Sequence, residues 1–307
     1  MKQVLAQIKP YLRWFIWGGV LFFLIKTFKD RYGEVANIRI DSQGWMMLAL
    51  ALMVTICAHI WSGWVWTWIL KLFNQPLGGK EGVRVYLVTN IAKYSPGNIW
   101  HYYGRITAVT AKGGSRGAAT LSVLLEPLLM ASAALLIGLL GTGLGWLETD
   151  FNRAIVALQL FSLVAVLIGI HPGILNPLMH HLSKSKNKVD PNFVQTIKLK
   201  TYPLTPFLGE MGFVILRGCG FMFTFLALQP ILWQQVPQLI SAFSFAWLLG
   251  LVVPGAPGGL GVFEVTAYSL LDDSLFPTEI AAVAMYRLIS ILAEAIAAVV
   301  SFRKKQN

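Results

Sequence analysis

The sequence predicts an all-α fold: a polytopic transmembrane helix bundle of about seven spanning helices plus two oppositely oriented re-entrant hairpins. Three observations predict it. The 307 residues are 56% hydrophobic and 13% charged, with mean hydropathy +0.62, more apolar side chain than one soluble core uses, so the surplus faces lipid. Seven apolar runs have about the length of a span, roughly 20 residues at about 1.5 Å rise through a hydrocarbon layer of about 30 Å. Two further apolar stretches are broken by Pro-Gly.

In order, the runs are 11–28, 45–72, 117–144, 153–171, 206–229, 237–253 and 279–302. The first follows a basic start like a signal peptide, but no small-x-small cleavage pattern succeeds it, so a retained first helix is expected. The whole chain, 1–307, reads as a single integral membrane domain without a soluble catalytic module. The net charge of +11 sits in short clusters between the runs, which suits anionic lipid headgroups, and no nucleic-acid-binding motif accompanies it. Cys57 and Cys219 lie inside apolar stretches, where packing roles are expected rather than a disulfide or metal site.

The first broken stretch, 83–107, contains Ser95-Pro96-Gly97-Asn98. The second hairpin, 237–271, contains Pro254-Gly255-Ala256-Pro257-Gly258-Gly259-Leu260-Gly261. Proline removes a backbone donor and clashes with the preceding turn, while glycine permits conformations that other residues avoid. Non-helical backbone is tolerated at membrane depth only where protein buries it or a wet cavity adjoins it. Each break therefore implies shelter.

Charge asymmetry sets the expected orientation. Lys184, Lys186, Lys188, Lys198 and Lys200, and the tail Arg303, Lys304 and Lys305, place those segments and both termini in the cytoplasm of a cell membrane protein. The acidic loops Glu148–Asp150 and Asp272–Glu279 then lie outside. The chain closes consistently if each broken stretch returns to the side it came from. The first hairpin, flanked by Lys80, Arg84, Lys112 and Arg116, enters from the cytoplasm and the second from outside, so their tips meet near the midplane. Such a pair is the layout of an inverted repeat in a secondary transporter. The loop 26–41, placed outside, runs against this with Lys26, Lys29, Arg31 and Arg39 beside Asp30, Glu34 and Asp41.

Charged residues within apolar segments need a partner, a cavity or a task. They are Lys93, Arg105, Glu126, Glu210, Arg217, Glu264, Arg287 and Glu294, and a Glu264 to Arg287 pair is expected from their placement. Two readings stand: pairs that pin helices together, or a polar pathway for a charged headgroup. For the second, Arg105 with Asn90 and Asn98 nearby suits bidentate phosphate binding, and a half-helix after Gly97 would add backbone N–H groups. His101, beside Trp100, Tyr102 and Tyr103, is either a headgroup contact or part of an interfacial aromatic anchor.

His59, His171, His180 and His181 lack metal-ligand spacing, so no metal or other cofactor is expected. Gly258-Gly259-Leu260-Gly261 has no preceding strand and no following Lys-Ser/Thr, unlike a nucleotide loop. No Ser/His/Asp set stands out, and an enzyme is not the expected class.

Asn90, Pro96-Gly97-Asn98, Arg105, Glu126, Pro254-Gly255, Gly258-Gly259-Leu260-Gly261 with Glu264, and Arg287 together resemble the lysylphosphatidylglycerol synthase transmembrane family, also called the UPF0104 or YbhN-like family. The resemblance covers about 85–302, and its most specific part is Pro254 to Glu264. Many members carry a glycine and a carboxylate after the first Pro-Gly, where this chain has Trp100-His101. The resemblance implies the lipid flippase region of multiple peptide resistance factor, which moves aminoacylated phosphatidylglycerol between leaflets. Other members stand alone or accompany enzymes of lipid-linked sugars. The aminoacyl-transferring activity of the larger relatives is expected to be absent.

The functional expectation is a flippase-like transporter for a phospholipid or lipid-linked headgroup, with Arg105 and Arg287 attracting phosphate and Glu126 and Glu264 balancing them. The alternative is a non-transporting scaffold for an envelope lipid or glycan synthesis enzyme, docking through the loop Lys184 to Lys200. An intramembrane enzyme acting on lipid-linked substrates is the third.

Overall fold

Asp41 starts the first described helix by accepting a 2.7 Å hydrogen bond from the Gly44 N–H, and the apolar residues that follow carry that helix, α1, over Ser42–Leu72. In the computed structural model, residues 40–94, 99–146, 153–177, 198–253, 257–259, 261–271 and 278–303 are described. They are helical, without a strand among them. After α1 come α2 (Gly79–Asn90), a 3-10 turn (Ile91–Tyr94), α3 (Trp100–Ala111), α4 (Arg116–Gly143), α5 (Arg153–Gly169) and α6 (Leu204–Leu226). A turn at Trp233–Gln235 leads into α7 (Val236–Val252), a second 3-10 turn (Pro257–Gly259), α8 (Val262–Leu270) and α9 (Glu279–Arg303).

Among the described residues, five helices are long and apolar enough to cross a membrane: Ser42–Leu72, Arg116–Gly143, Leu204–Leu226, Trp233–Val252 and Glu279–Phe302. Five of the seven expected runs correspond to them. The run 11–28 lies outside the described residues. The run 153–171 forms α5, whose 17 residues make about 25 Å of helix, short of a hydrocarbon layer of about 30 Å. The packing role expected for both cysteines fails for Cys57, which is exposed on the outer face of α1, while Cys219 is half-buried.

Small residues let α1 and α6 approach closely and run antiparallel. A Cβ added to Gly209 would stand 2.7 Å from Val65 Cγ2, and one on Gly220 would stand 2.5 Å from Thr55 Oγ1. The Trp61 indole N–H donates to the Gly209 carbonyl at 2.7 Å across the same seam. Further along, Phe221 and Phe225 of α6 join Phe243, Phe263 and Tyr286 in an aromatic cluster tying α6 to α7, α8 and α9, with Phe221–Phe225 centroids 5.0 Å apart and Phe221–Tyr286 5.3 Å. Offset and edge-on rings of this kind add to the burial they provide.

Side-chain contacts establish which helix ends share a side. Gln75, just after α1, accepts from the Ser115 N–H at 2.8 Å, and Lys112 pairs with Glu81 at 2.9 Å. The exposed Lys71, Lys80, Lys112 and Arg116 gather there. At the opposite end, Thr278 Oγ1 donates to Gln229 Oε1 at 2.7 Å, and Gly44 lies against the Ala227 carbonyl.

The two broken stretches start from these opposite ends. α2 and α3, 12 residues each, fold back on one another: Lys112 meets Glu81 at the basic end, while Arg105 reaches Asn90 deeper in. α7 and α8 do the same from the other end, bringing Phe243 within 5.9 Å of Phe263 and Gly250 against Gly259. Their arms are unequal, α8 having nine residues. The turns between the arms meet, because a Cβ on Gly258 would lie 2.5 Å from Tyr94 Cε1. Gly258 has φ +62° as well, so that position demands glycine on both counts. Pro96, Gly97, Asn98, Pro254 and Gly255 lie outside the described residues, as does the Pro257 side chain.

Candidate functional site

Where the two turns meet, a cavity of about 110 Å³ opens among residues from each of the described helices except α5. At about 10–15 Å³ per water by this measure, it has room for several waters or one small polar group. Its wall carries four cationic side chains, Lys93, Arg105, Arg217 and Arg287, and two carboxylates, Glu126 and Glu294. Charges at this depth in an apolar bundle are costly unless paired, so the pairing is the chemistry of the site.

On the α3 side the pairing is closed. Arg105, 1% exposed, donates from Nη1 to Glu126 Oε2 at 2.5 Å and from Nη2 to Asn90 Oδ1 at 3.3 Å. Its guanidinium lies 3.8 Å from the centre of the Tyr86 ring, and the Tyr86 hydroxyl is hydrogen-bonded to Ser62. Glu126 precedes Pro127, which cannot donate to the Val123 carbonyl four residues back, so α4 loses one helical hydrogen bond at the cavity wall.

Arg287 is held similarly. Its Nε donates to Glu264 Oε1 at 2.8 Å, and its guanidinium stands 5.1 Å from the Phe263 ring centre. Glu264 follows Gly261, whose φ of +77° turns the chain into α8 and brings the carboxylate into the first turn of that short helix.

The third group is shared among four helical elements. Lys93 of the first turn donates to Glu294 Oε1 of α9 at 2.6 Å. The same carboxylate oxygen is 3.4 Å from His59 Nε2 of α1. That ring nitrogen also lies 3.0 Å from Arg217 Nη1 of α6. Arg217 lies 5.4 Å from the Tyr286 ring centre, and its backbone carbonyl accepts from the Tyr286 hydroxyl at 3.2 Å.

Asn90, His101, Arg105, Glu126 and Arg287 all line the cavity, as do Gly258 and Gly259. The expected Glu264 to Arg287 pair is present, with Glu264 behind Arg287 rather than on the wall. The picture of Arg105 as a phosphate fork needs correction: Glu126 and Asn90 already occupy two of its nitrogens. His101 is 6% exposed and faces the cavity, so the anchor reading does not describe it, whereas its neighbour Tyr103 is 58% exposed as an anchor would be. Gly261 is exposed and off the wall, and Asn98 lies outside the described residues.

Sequence reasoning did not assign His59, Lys93, Arg217 or Glu294 to the site. The last three stood out as charges in apolar segments, a signal that marks importance without naming partners. His59 carried only the weaker signal of a polar residue in the middle of an apolar run. Glu210 of α6 is fully buried off the cavity, and neither of its carboxyl oxygens has a hydrogen-bond partner. Among the described residues no cluster of His, Cys, Asp or Glu has the makings of a metal site. No protein-family model matches the chain, and no curated protein matches it either.

Proposed function

We propose that this chain is a flippase-like membrane transporter that passes the headgroup of a phospholipid or lipid-linked substrate between leaflets. The observation that carries this reading is the polar cavity with four cationic side chains, enclosed by an apolar bundle at the meeting point of two interrupted helical hairpins. A pathway for a headgroup needs polar walls inside and apolar surface outside. Purely structural ion pairs need no cavity between them.

In this reading α2–α3 and α7–α8 are re-entrant hairpins of opposite orientation, and the bundle has about seven spans when 11–28 and 153–171 are included. The exposed basic cluster Lys71, Lys80, Lys112 and Arg116 supports a reading in which that end faces the cytoplasm of a cell membrane and both termini lie on the same side. The resemblance to the lysylphosphatidylglycerol synthase transmembrane family agrees with this arrangement and suggests an anionic lipid as cargo.

The test is leaflet accessibility in reconstituted vesicles of phosphatidylcholine with a fluorescent phosphatidylglycerol. The protein is expected to speed transbilayer movement well above protein-free vesicles. Movement no faster than in protein-free vesicles, with the chain shown to be folded and inserted, rejects transport and leaves the scaffold as the reading to pursue.

A further inference from the structure

Arg217 differs from every other cation on the cavity wall. Lys93 pairs with Glu294, Arg105 with Glu126 and Arg287 with Glu264, each at 2.8 Å or less. Arg217 makes no ion pair among the described residues, although it is 4% exposed. Its contact in the plane of the guanidinium is His59 Nε2, at 3.0 Å from Nη1. A guanidinium donates and never accepts, so this contact is a hydrogen bond when Nε2 presents its lone pair, as a neutral imidazole does. Glu294, the nearest carboxylate in this network, is engaged by Lys93 and makes no ion pair with Arg217, although both reach the same His59 nitrogen. Glu210, on the same helix, neither lines the cavity nor pairs with Arg217.

The three pairs cancel, and among the cations of the cavity wall Arg217 is left over, while the further buried carboxylate on its helix, Glu210, stands off the cavity. Three guanidinium nitrogens of wall residues also have no hydrogen-bond partner, Arg105 Nε, Arg217 Nε and Arg287 Nη2, but the charge of Arg105 is already matched by Glu126 and its two terminal nitrogens are held by Glu126 and Asn90. A buried cation without a counter-ion costs several kcal/mol, which an anion in the cavity would offset. Guanidinium donors in a fixed plane match the oxygens of a phosphate, and a single surplus charge matches a phosphodiester, which carries one negative charge.

We infer that the cavity is a binding site for one phosphate monoanion, held by Arg217 with Arg287 beside it, while Arg105 shapes the wall without contacting the ligand. The inference rests on the transport reading for the source of that anion, a lipid headgroup, but the same chemistry would hold free phosphate. Bound there, the anion accepts from Arg217 Nε and Arg287 Nη2 and neutralises the surplus charge.

Calorimetric titration of the purified full chain in non-ionic detergent tests this. The probes are dihexanoyl phosphatidylglycerol, inorganic phosphate and phosphate-free dihexanoylglycerol. The expected result is that the phosphatidylglycerol binds, phosphate competes with it and dihexanoylglycerol does not bind. Arg217→Gln is expected to weaken phosphatidylglycerol binding at least tenfold, and Arg217→Lys to weaken it less. Phosphate binding that depends on Arg217, without phosphatidylglycerol competing, supports the site and assigns it a soluble anion.

Equal binding of dihexanoylglycerol by the wild-type chain overturns the inference, and so does an unchanged affinity in Arg217→Gln. The wild-type comparison decides the matter even if the variants misfold. In vesicles, Arg217-dependent binding without transbilayer movement rejects transport and keeps the site. Movement that Arg217→Gln leaves unaltered rejects the site and keeps transport.

Discussion

Arg105 and Arg217 are both buried guanidiniums on the wall of one cavity, yet their surroundings are opposite. Arg105 is closed: Glu126, Asn90 and the Tyr86 face surround it. Arg217 is open: the His59 imidazole and the Tyr286 ring are its neighbours, and no carboxylate among the described residues pairs with it. A fully paired buried charge resists change because removing either partner strands the other. An unpaired one costs stability until a ligand of opposite charge offsets it. The comparison separates the structural side of the cavity, α3 with α4, from the receptive side, α6 with α1.

The sharpest way to break this comparison is to remove Glu126. Glu126→Ala strands Arg105 and is expected to cost about 3–5 kcal/mol, with the double variant Glu126→Leu/Arg105→Met recovering most of it. Thermal unfolding in detergent measures both, and a loss below about 1 kcal/mol for the single variant would mean the pair is not closed. Next is Gly258→Ala, which forces a Cβ onto Tyr94 at positive φ and is expected to cost about 1–3 kcal/mol where the hairpin turns meet. An unchanged melting temperature there would show that the two turns do not depend on that contact.

Arg217→Gln sharpens the contrast directly. With no carboxylate to strand and an uncompensated buried charge removed, it is expected to leave the ligand-free chain at least as stable as the wild type, whereas Arg105→Gln should match Glu126→Ala. Equal losses at the two arginines would erase the distinction. The smallest effect belongs to Lys112→Ala. Its pair with Glu81 joins side chains that are 53% and 51% exposed, and surface pairs contribute about 0–1 kcal/mol, diminishing with added salt.

Much of this was readable from residue types. The apolar run 45–72 has few alternatives to a long helix, and α1, Ser42–Leu72, follows it closely. Glu264 and Arg287 are 23 positions apart on segments joined by a short connection, so their pairing was foreseeable. Lys93 and Glu294 are 201 positions apart, and Arg217 and His59 are 158 apart. No local pattern relates such positions, because their meeting depends on which helix faces pack together. Glu126 was expected to balance Arg105, but that it and Asn90 engage both terminal nitrogens of the guanidinium depends on how α2, α3 and α4 pack.

By itself the sequence determined the helical class, the apolar lengths and the places where helices must stop, since these follow from local hydropathy and from what proline and glycine do to a backbone. Only the tertiary structure decided that Gly258 packs on Tyr94 where the two turns meet and that three of the four cations on the cavity wall are paired while Arg217 is not. Charge cancellation depends on distances of a few ångströms between residues far apart in the chain, and only packing sets those distances.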